Sequence, residues 1–238
     1  MCSARSQPFP LFQRFPALLP LVQQHTHRKD DILAHHGAAA DTVWLVLSGW
    51  ASLLRHTPGG TQVTMDLCST GDLLGEDALN GQPHYTHSIR VLENGTQLAA
   101  LPARALQALT ASDSALSTAL MGLLSARLNR VQRQLEQRTS LSAPQRLGCF
   151  LLRLREQQGG TGPLHLPLDK QVIASYLGMK PETLSRSFQQ LQPHGISVAQ
   201  AQVGVASLGA LRAYVCGSCG ESGLCPTEQA RACSAPAG

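Results

Sequence analysis

Glu182, Ser185 and Arg186 are spaced to stand on one side of a single helix, and together they offer the chemistry of reading a base pair. An arginine fork can donate two hydrogen bonds to O6 and N7 of a guanine. A glutamate one turn earlier can accept from a cytosine amine, and a serine hydroxyl is short enough to approach a base edge. At about 100° per residue, Leu184, Phe188 and Leu191 fall together, while Glu182, Ser185, Arg186 and Gln189 fall roughly opposite. Lys180 and Thr183 complete the candidate DNA-contacting set. The competing reading makes Glu182 and Arg186 only an i,i+4 ion pair on a solvated face, worth about a few tenths of a kcal/mol.

The elements needed to hold these side chains are legible on either side. Val172, Ile173 and Leu177 give residues 169–177 the apolar stripe of a short helix, Ala174 lets a second helix pack close, and Gly178 is placed to end the helix in a left-handed cap. After the turn Gly178, Met179, Lys180, Pro181 stands at the first position of a second helix that runs to about Gln190. Two helices joined by so short a turn form a complete helix-turn-helix, which favours base reading over the solvated pair.

These residues also carry a likeness. The run at 166–195, LPLDKQVIASYLGMKPETLSRSFQQLQPHG, resembles the winged helix-turn-helix of the CRP/FNR regulators, and E-T-x-S-R at 182–186 resembles the FNR branch. The resemblance implies a homodimeric transcription factor reading a TTGAT-type half-site in an inverted repeat. Its contacts would be carried by Glu182, Ser185 and Arg186, and RNA polymerase and double-stranded DNA would be its partners. Pro181 stands where the cyclic-AMP branch usually has a further base-contacting arginine, which favours the FNR-type site.

Upstream, residues 22–109 read as a compact antiparallel β fold, with strands at 42–47, 51–55, 62–67, 88–92 and 97–101. Turn signals separate them at Ser48-Gly49, Pro58-Gly59-Gly60, Thr70-Gly71-Asp72 and Asn94-Gly95. VLSGW, PGGTQV and GDLLGEDALN resemble the sensor roll of the same family, so the likeness covers about 20 to 213. In that family cyclic AMP is held by a glutamate on the ribose and an arginine and serine on the phosphate. Glu76 matches the glutamate; the arginine-serine position falls near Thr86-His87, and no Arg stands between Gly75 and Ile89. A phosphate without a cation is poorly held, so no cyclic-AMP binding is expected unless Arg90 enters by a shifted register.

Leu116, Leu120, Leu124, Leu128, Val131 and Leu135 recur at steps of four and three, predicting a long helix over about 114–138. Spacing this near an a/d seam favours a partner helix over packing on the roll alone, and the resemblance points the same way. A two-fold dimer would set two recognition helices about 34 Å apart, one DNA turn. Arg127, Arg130, Arg133, Glu136 and Arg138 read as solvated flanking charges. Ser142 and Gln145 have the shape of a capping box opening another helix, whose core face is Leu147, Phe150, Leu151 and Leu154. Residues 157–162 should form a loop, 196–205 a two-stranded wing, and 208–215 a closing helix or strand.

The end of the chain, VCGSCGESGLCPTEQARACSAPAG, holds four of the seven cysteines. Cys216, Cys219, Cys225 and Cys233 follow a C-x2-C-x5-C-x7-C spacing, with glycines nearby and Pro226 after Cys225. In a cytoplasmic protein such a cluster points to metal or redox chemistry rather than disulfides. A [4Fe-4S] cluster held by thiolates suits it best; zinc, a thiol switch or an unliganded tail remain alternatives. The resemblance adds that oxygen-sensing FNR proteins commonly hold such a cluster near the amino terminus, where this chain has only Cys2, and that some relatives carry cysteines after the helix-turn-helix. Haem or another small ligand is the other sensing possibility. Cys68 and Cys149 lie in apolar runs and read as buried small hydrophobes. His25-x-His27 and His84-x2-His87 could suggest a cupin-like metal enzyme, but the glycines and glutamate that such a motif needs are missing around His25.

Bulk properties suit a two-domain chain that meets phosphates and show no sign of a membrane protein. The 238 residues are 43% hydrophobic and 14% charged, enough for two domains with cores of their own. Neither a membrane span nor a secretory leader is readable, so the chain is expected in the cytoplasm. The net charge is +4, and residues 140–213 hold seven Lys and Arg against three Asp and Glu, so the excess lies where phosphates would be met. The expected fold class is α+β: an arm (1–20), an antiparallel β-roll of the cyclic-nucleotide-binding, jelly-roll kind (21–110), a dimerisation helix (111–139), a winged helix-turn-helix (140–213) and a cysteine-rich tail (214–238).

Overall fold

The computed structural model describes residues 9–158, 162–166, 168–199 and 202–216. The chain forms two compact units, 1–131 and 132–238, which divide within one long helix. Cys219, Cys225 and Cys233 and the side chain of Cys216 lie outside the described residues.

In the first unit, α1 (Pro10–Arg14) and a 3-10 turn (Pro16–Leu21) each open on a proline, the residue already set for the first helical position. They turn Phe12, Phe15 and Leu18 into the core. Eight strands follow: β1 (Gln23–His27), β2 (Ile32–Ala34), β3 (Thr42–Ser48), β4 (Trp50–His56), β5 (Gln62–Ser69), β6 (Leu73–Leu74), β7 (Ser88–Val91) and β8 (Thr96–Pro102). They build two antiparallel sheets ordered β1-β8-β3-β6 and β2-β7-β4-β5. Val46, Leu74 and Leu98 from one sheet and Leu53, Ile89 and Val91 from the other share one buried cluster. The five expected strands are present. β1 was not expected because its sequence, QQHTH, is polar and almost wholly exposed, held at an edge by pairing with β8. The β reading also ran too far: 103–109 belong to α2 (Ala103–Ser112), which packs Ala103 and Leu106 on the core.

α3 (Ser114–Ser140) is capped by Asp113, whose Oδ1 accepts from the Ala115 and Leu116 amides at 2.9 and 3.0 Å. Its apolar residues divide between two faces. Leu116 and Leu120 are buried in the roll's own core, so they are not available to a partner helix, which corrects their place in the expected seam. Met121, Leu128, Val131 and Leu135 are 59%, 57%, 41% and 65% exposed, while Leu124 is partly buried and packs against the roll core. Positions 121, 128 and 135, and 124 and 131, repeat every seven residues, as an a/d seam requires.

In the second unit, α4 (Ala143–Gln158) opens as expected, with Gln145 Oε1 accepting from the Ser142 amide at 3.0 Å and from its hydroxyl at 2.8 Å. Leu147, Phe150, Leu151 and Leu154 are all buried. β9 (Leu164–His165), α5 (Lys170–Tyr176), α6 (Pro181–Leu191), β10 (Ile196–Ala199), β11 (Gln202–Val205) and α7 (Leu208–Cys216) complete it. The wing is the expected β10–β11 pair, with β9 added on the far side of β11. Gly148 lets α7 approach α4, since a Cβ there would run into Val215 Cγ2. No helix among the described residues is long and apolar enough to cross a membrane.

Candidate nucleic-acid interface

α5 and α6 form the expected helix-turn-helix. Val172, Ile173, Ala174 and Leu177 are buried on α5 or at its end, and Gly178 takes φ +65°, a left-handed conformation that glycine adopts without penalty. The Met179 amide donates to the Ala174 carbonyl at 2.9 Å and the Gly178 amide to Ser175 at 3.1 Å, the paired bonds of a Schellman cap. Pro181 then starts α6 at its first position.

On α6, Leu184, Ser187, Phe188 and Leu191 are buried, and Glu182, Ser185, Arg186 and Gln189 are exposed. Lys180, just before the helix, is exposed, and Thr183 is half-buried. Among the described residues, Glu182 and Arg186 form no ion pair with each other. Both side chains are exposed. The serine is more constrained: Ser185 Oγ donates to the Pro181 carbonyl at 3.1 Å, leaving its lone pairs, rather than its proton, for a base edge. Ser187 makes the same i−4 bond to Thr183 at 2.8 Å on the buried side.

Two family descriptions match the chain: a cyclic nucleotide-binding domain over residues 24–113 and a Crp-like helix-turn-helix domain over 145–214. The chain belongs to the CRP/FNR family of regulators. The nitrogen fixation regulation protein FixK of Azorhizobium caulinodans is 30% identical over 161 residues, covering 66% of this chain and 63% of FixK. This chain thus matches less than two thirds of that relative's length. The transcriptional activator protein FnrA of Stutzerimonas stutzeri is 25% identical over 74% of this chain and 72% of its own. The structure of FixK2 from Bradyrhizobium japonicum shares the fold with a TM-score of 0.73 at 20% identity, covering 80% of this chain and 96% of that one. CRP/FNR proteins are transcriptional regulators, not enzymes, which sets the cupin-like reading aside. His25 and His27 lie side by side with ring centroids 6.2 Å apart, and among the described residues no three His, Cys, Asp or Glu side chains are grouped to hold a metal.

Glu76, on the roll, belongs to an ionic network whose other members the sequence does not reveal. Glu76 follows Gly75, whose φ is +75° and where a Cβ would meet the Thr42 carbonyl at 2.8 Å. Glu76 Oε1 lies 2.8 Å from Arg127 NH1; Arg127 Nε lies 3.0 Å from Asp66 Oδ2. Arg130 reaches the same Asp66 oxygen at 3.2 Å and Asp72 Oδ1 at 2.8 Å. Asp66 is almost fully buried and the Arg127 and Arg130 side chains are 13% and 16% exposed, which corrects their assignment as solvated charges. The available signal was their phase: Leu116, Leu120, Arg127, Arg130 and Gln134 continue one helical stripe.

Around this network, Cys68 is fully buried and burial, with Asp66 beside it, pushes its thiol well above the ordinary range. Thr86 Oγ1 bonds Asp77 at 3.0 Å and His87 Nδ1 at 2.8 Å. Burial holds His87 below its usual value, against the opposing pull of Glu76 and Asp77. Cys149 is half-buried.

Proposed function

We propose that this chain is a sequence-specific DNA-binding transcriptional regulator that acts in the cytoplasm as a homodimer on an inverted repeat of TTGAT-like half-sites. The observation that carries this reading is the outer face of α6, where Glu182 and Arg186 are exposed and, among the described residues, unpaired, on a helix whose opposite face is locked by Leu184, Phe188 and Leu191. Arg186 reads guanine, Glu182 accepts from cytosine, and Ser185 and Gln189 make the closest secondary contacts. Lys180 and Thr183 lie beside the phosphates. The apolar seam of α3 from Met121 to Leu135 joins two chains, so that two copies of α6 address successive major grooves. RNA polymerase is the partner through which binding becomes regulation.

The roll is assigned no cyclic nucleotide. No arginine stands between Gly75 and Ile89 to take the phosphate, and the Glu76 carboxylate is already paired with Arg127. The signal enters instead through Cys216, Cys219, Cys225 and Cys233, whose spacing suits an iron-sulfur cluster or zinc. The fold offers a route for it: Val215, next to Cys216, is buried in the DNA-binding unit, and Tyr214 stacks on His194 at 4.0 Å, just past the end of α6.

The test is binding to a TTGAT-N4-ATCAA duplex and to a scrambled one, with Arg186→Ala expected to lose about 1–3 kcal/mol on the first only. Equal affinity of the unaltered protein for both duplexes overturns the reading. Iron, acid-labile sulfide and zinc content of protein purified without oxygen, compared with Cys216→Ala, tests the input. Absence of all three overturns the metal assignment and leaves the DNA reading in place.

A further inference from the structure

We propose that Gln134 and Arg138, on the last turns of α3, are positioning residues of the DNA-reading unit. They grip the end of α5 and so fix the turn from which α6 departs. The inference rests on the DNA-binding reading above and adds two residues that do not touch DNA.

A helix leaves its last carbonyls without intrahelical partners. At the end of α5 these are accounted for one by one: Ala174 takes the Met179 amide, Ser175 the Gly178 amide and Ile173 the Leu177 amide. The Tyr176 carbonyl is the next in line, and it receives two side-chain donors, Gln134 Nε2 at 2.7 Å and Arg138 NH2 at 2.7 Å. Gln134 and Arg138 are one helical turn apart, so both reach the same oxygen from one face of α3. Gln134 is 8% exposed, and a buried polar side chain of that kind needs its partner.

The same point is held from its other sides. The Tyr176 hydroxyl accepts from Arg153 NH2 at 2.8 Å, its ring lies 5.3 Å beneath the Arg153 guanidinium carbon, and Phe150 packs against it at 6.2 Å. A Cβ on Gly178 would lie 3.2 Å from Arg138 Nε, so the glycine that ends α5 also makes room for the clamp. Tyr176 is thus fixed at its backbone by α3 and at its ring by α4. Four residues later Lys180 leads into α6. A clamp on Tyr176 sets where Lys180 and Pro181 stand, and through them the placement of Glu182 and Arg186.

The decisive variant is Gln134→Met in the full-length protein, because it removes a donor without changing charge or volume greatly. Expected results are about fivefold to tenfold weaker binding to the TTGAT-N4-ATCAA duplex, as follows from losing one buried hydrogen bond, with binding to the scrambled duplex and its salt dependence unchanged. Amide exchange at Gly178 and Met179, measured without DNA, should accelerate. Arg138→Lys, which keeps a donor, should retain most of the specific binding that Arg138→Met loses; this comparison decides the matter if Gln134→Met does not fold. Cognate binding within twofold of the unaltered protein together with unchanged exchange at Gly178 and Met179 overturns the proposal. A lack of preference for the inverted repeat in the unaltered protein instead overturns the DNA-binding reading, and the exchange measurement then still decides whether the clamp holds the turn.

Discussion

Asp66 Oδ2 accepts from both Arg127 Nε, at 3.0 Å, and Arg130 NH2, at 3.2 Å, so a single buried oxygen on β5 ties two successive turns of α3 to the roll. The arrangement has consequences for stability. Burial opposes the charge on both guanidiniums, yet the neighbouring carboxylates outweigh it and strengthen their hold on the proton. Asp66→Asn therefore leaves two desolvated cations sharing Glu76 and Asp72 alone, and should cost about 3–5 kcal/mol, the usual penalty for breaking a buried pair. Urea unfolding of the full-length protein measures it. A loss under 1 kcal/mol would mean that the network is solvated and carries no structural weight.

The two faces of α3 should separate in a mutational comparison. Leu128→Glu with Leu135→Glu places charge in the exposed seventh-residue seam and should shift sedimentation from dimer to monomer with the circular dichroism of the folded chain retained. Leu116→Ala, in the roll core, should leave the dimer intact while destabilising the roll by about 2–5 kcal/mol. A dimer that survives both glutamates overturns the seam.

Comparison of particular elements shows which signals sequence carries. α6 was readable because its buried and exposed residues segregate at one helical period and Pro181 marks its start. β1 was not, since QQHTH has no apolar alternation and owes its strand conformation to backbone pairing with β8. The apolar spacing of α3 predicts its length, but spacing cannot say which neighbour a leucine meets, so it does not separate Leu116 and Leu120 from Leu128 and Leu135. Charge was misread for a related reason: an arginine in a helical stripe counts as solvated unless a carboxylate distant in sequence is known to face it, and Asp66 lies 61 residues before Arg127. The bonds of Gln134 and Arg138 to the Tyr176 carbonyl leave no sequence mark at all, because a backbone acceptor has no residue type.

His87 gives the roll a pH dependence whose sign is fixed. Burial lowers its folded value below the ordinary 6.5, so the native state binds fewer protons than the unfolded chain as pH falls through 6.5. Stability contributed by the neutral ring is present above that pH and is lost on acidification through the lowered folded value. Urea midpoints should therefore fall between pH 8 and pH 5.5, and His87→Gln should flatten that part of the dependence. An unaltered slope in the variant would assign the effect to other groups.

Lys180 separates phosphate contact from base reading. It is exposed one residue before α6 and stands outside the face carried by Glu182 and Arg186. A contact from its ammonium to a phosphate carries no sequence information. Lys180→Ala should weaken binding to TTGAT-N4-ATCAA and scrambled duplexes by the same factor, and should reduce the slope of log affinity against log salt by about 0.9 for each phosphate that is no longer neutralised. Arg186→Ala should do the reverse, removing preference while the residual binding keeps its salt dependence. Titrations of both duplexes over a range of salt concentrations compare the two variants directly. A Lys180→Ala protein that loses cognate binding alone would move Lys180 from the phosphates to the base edges.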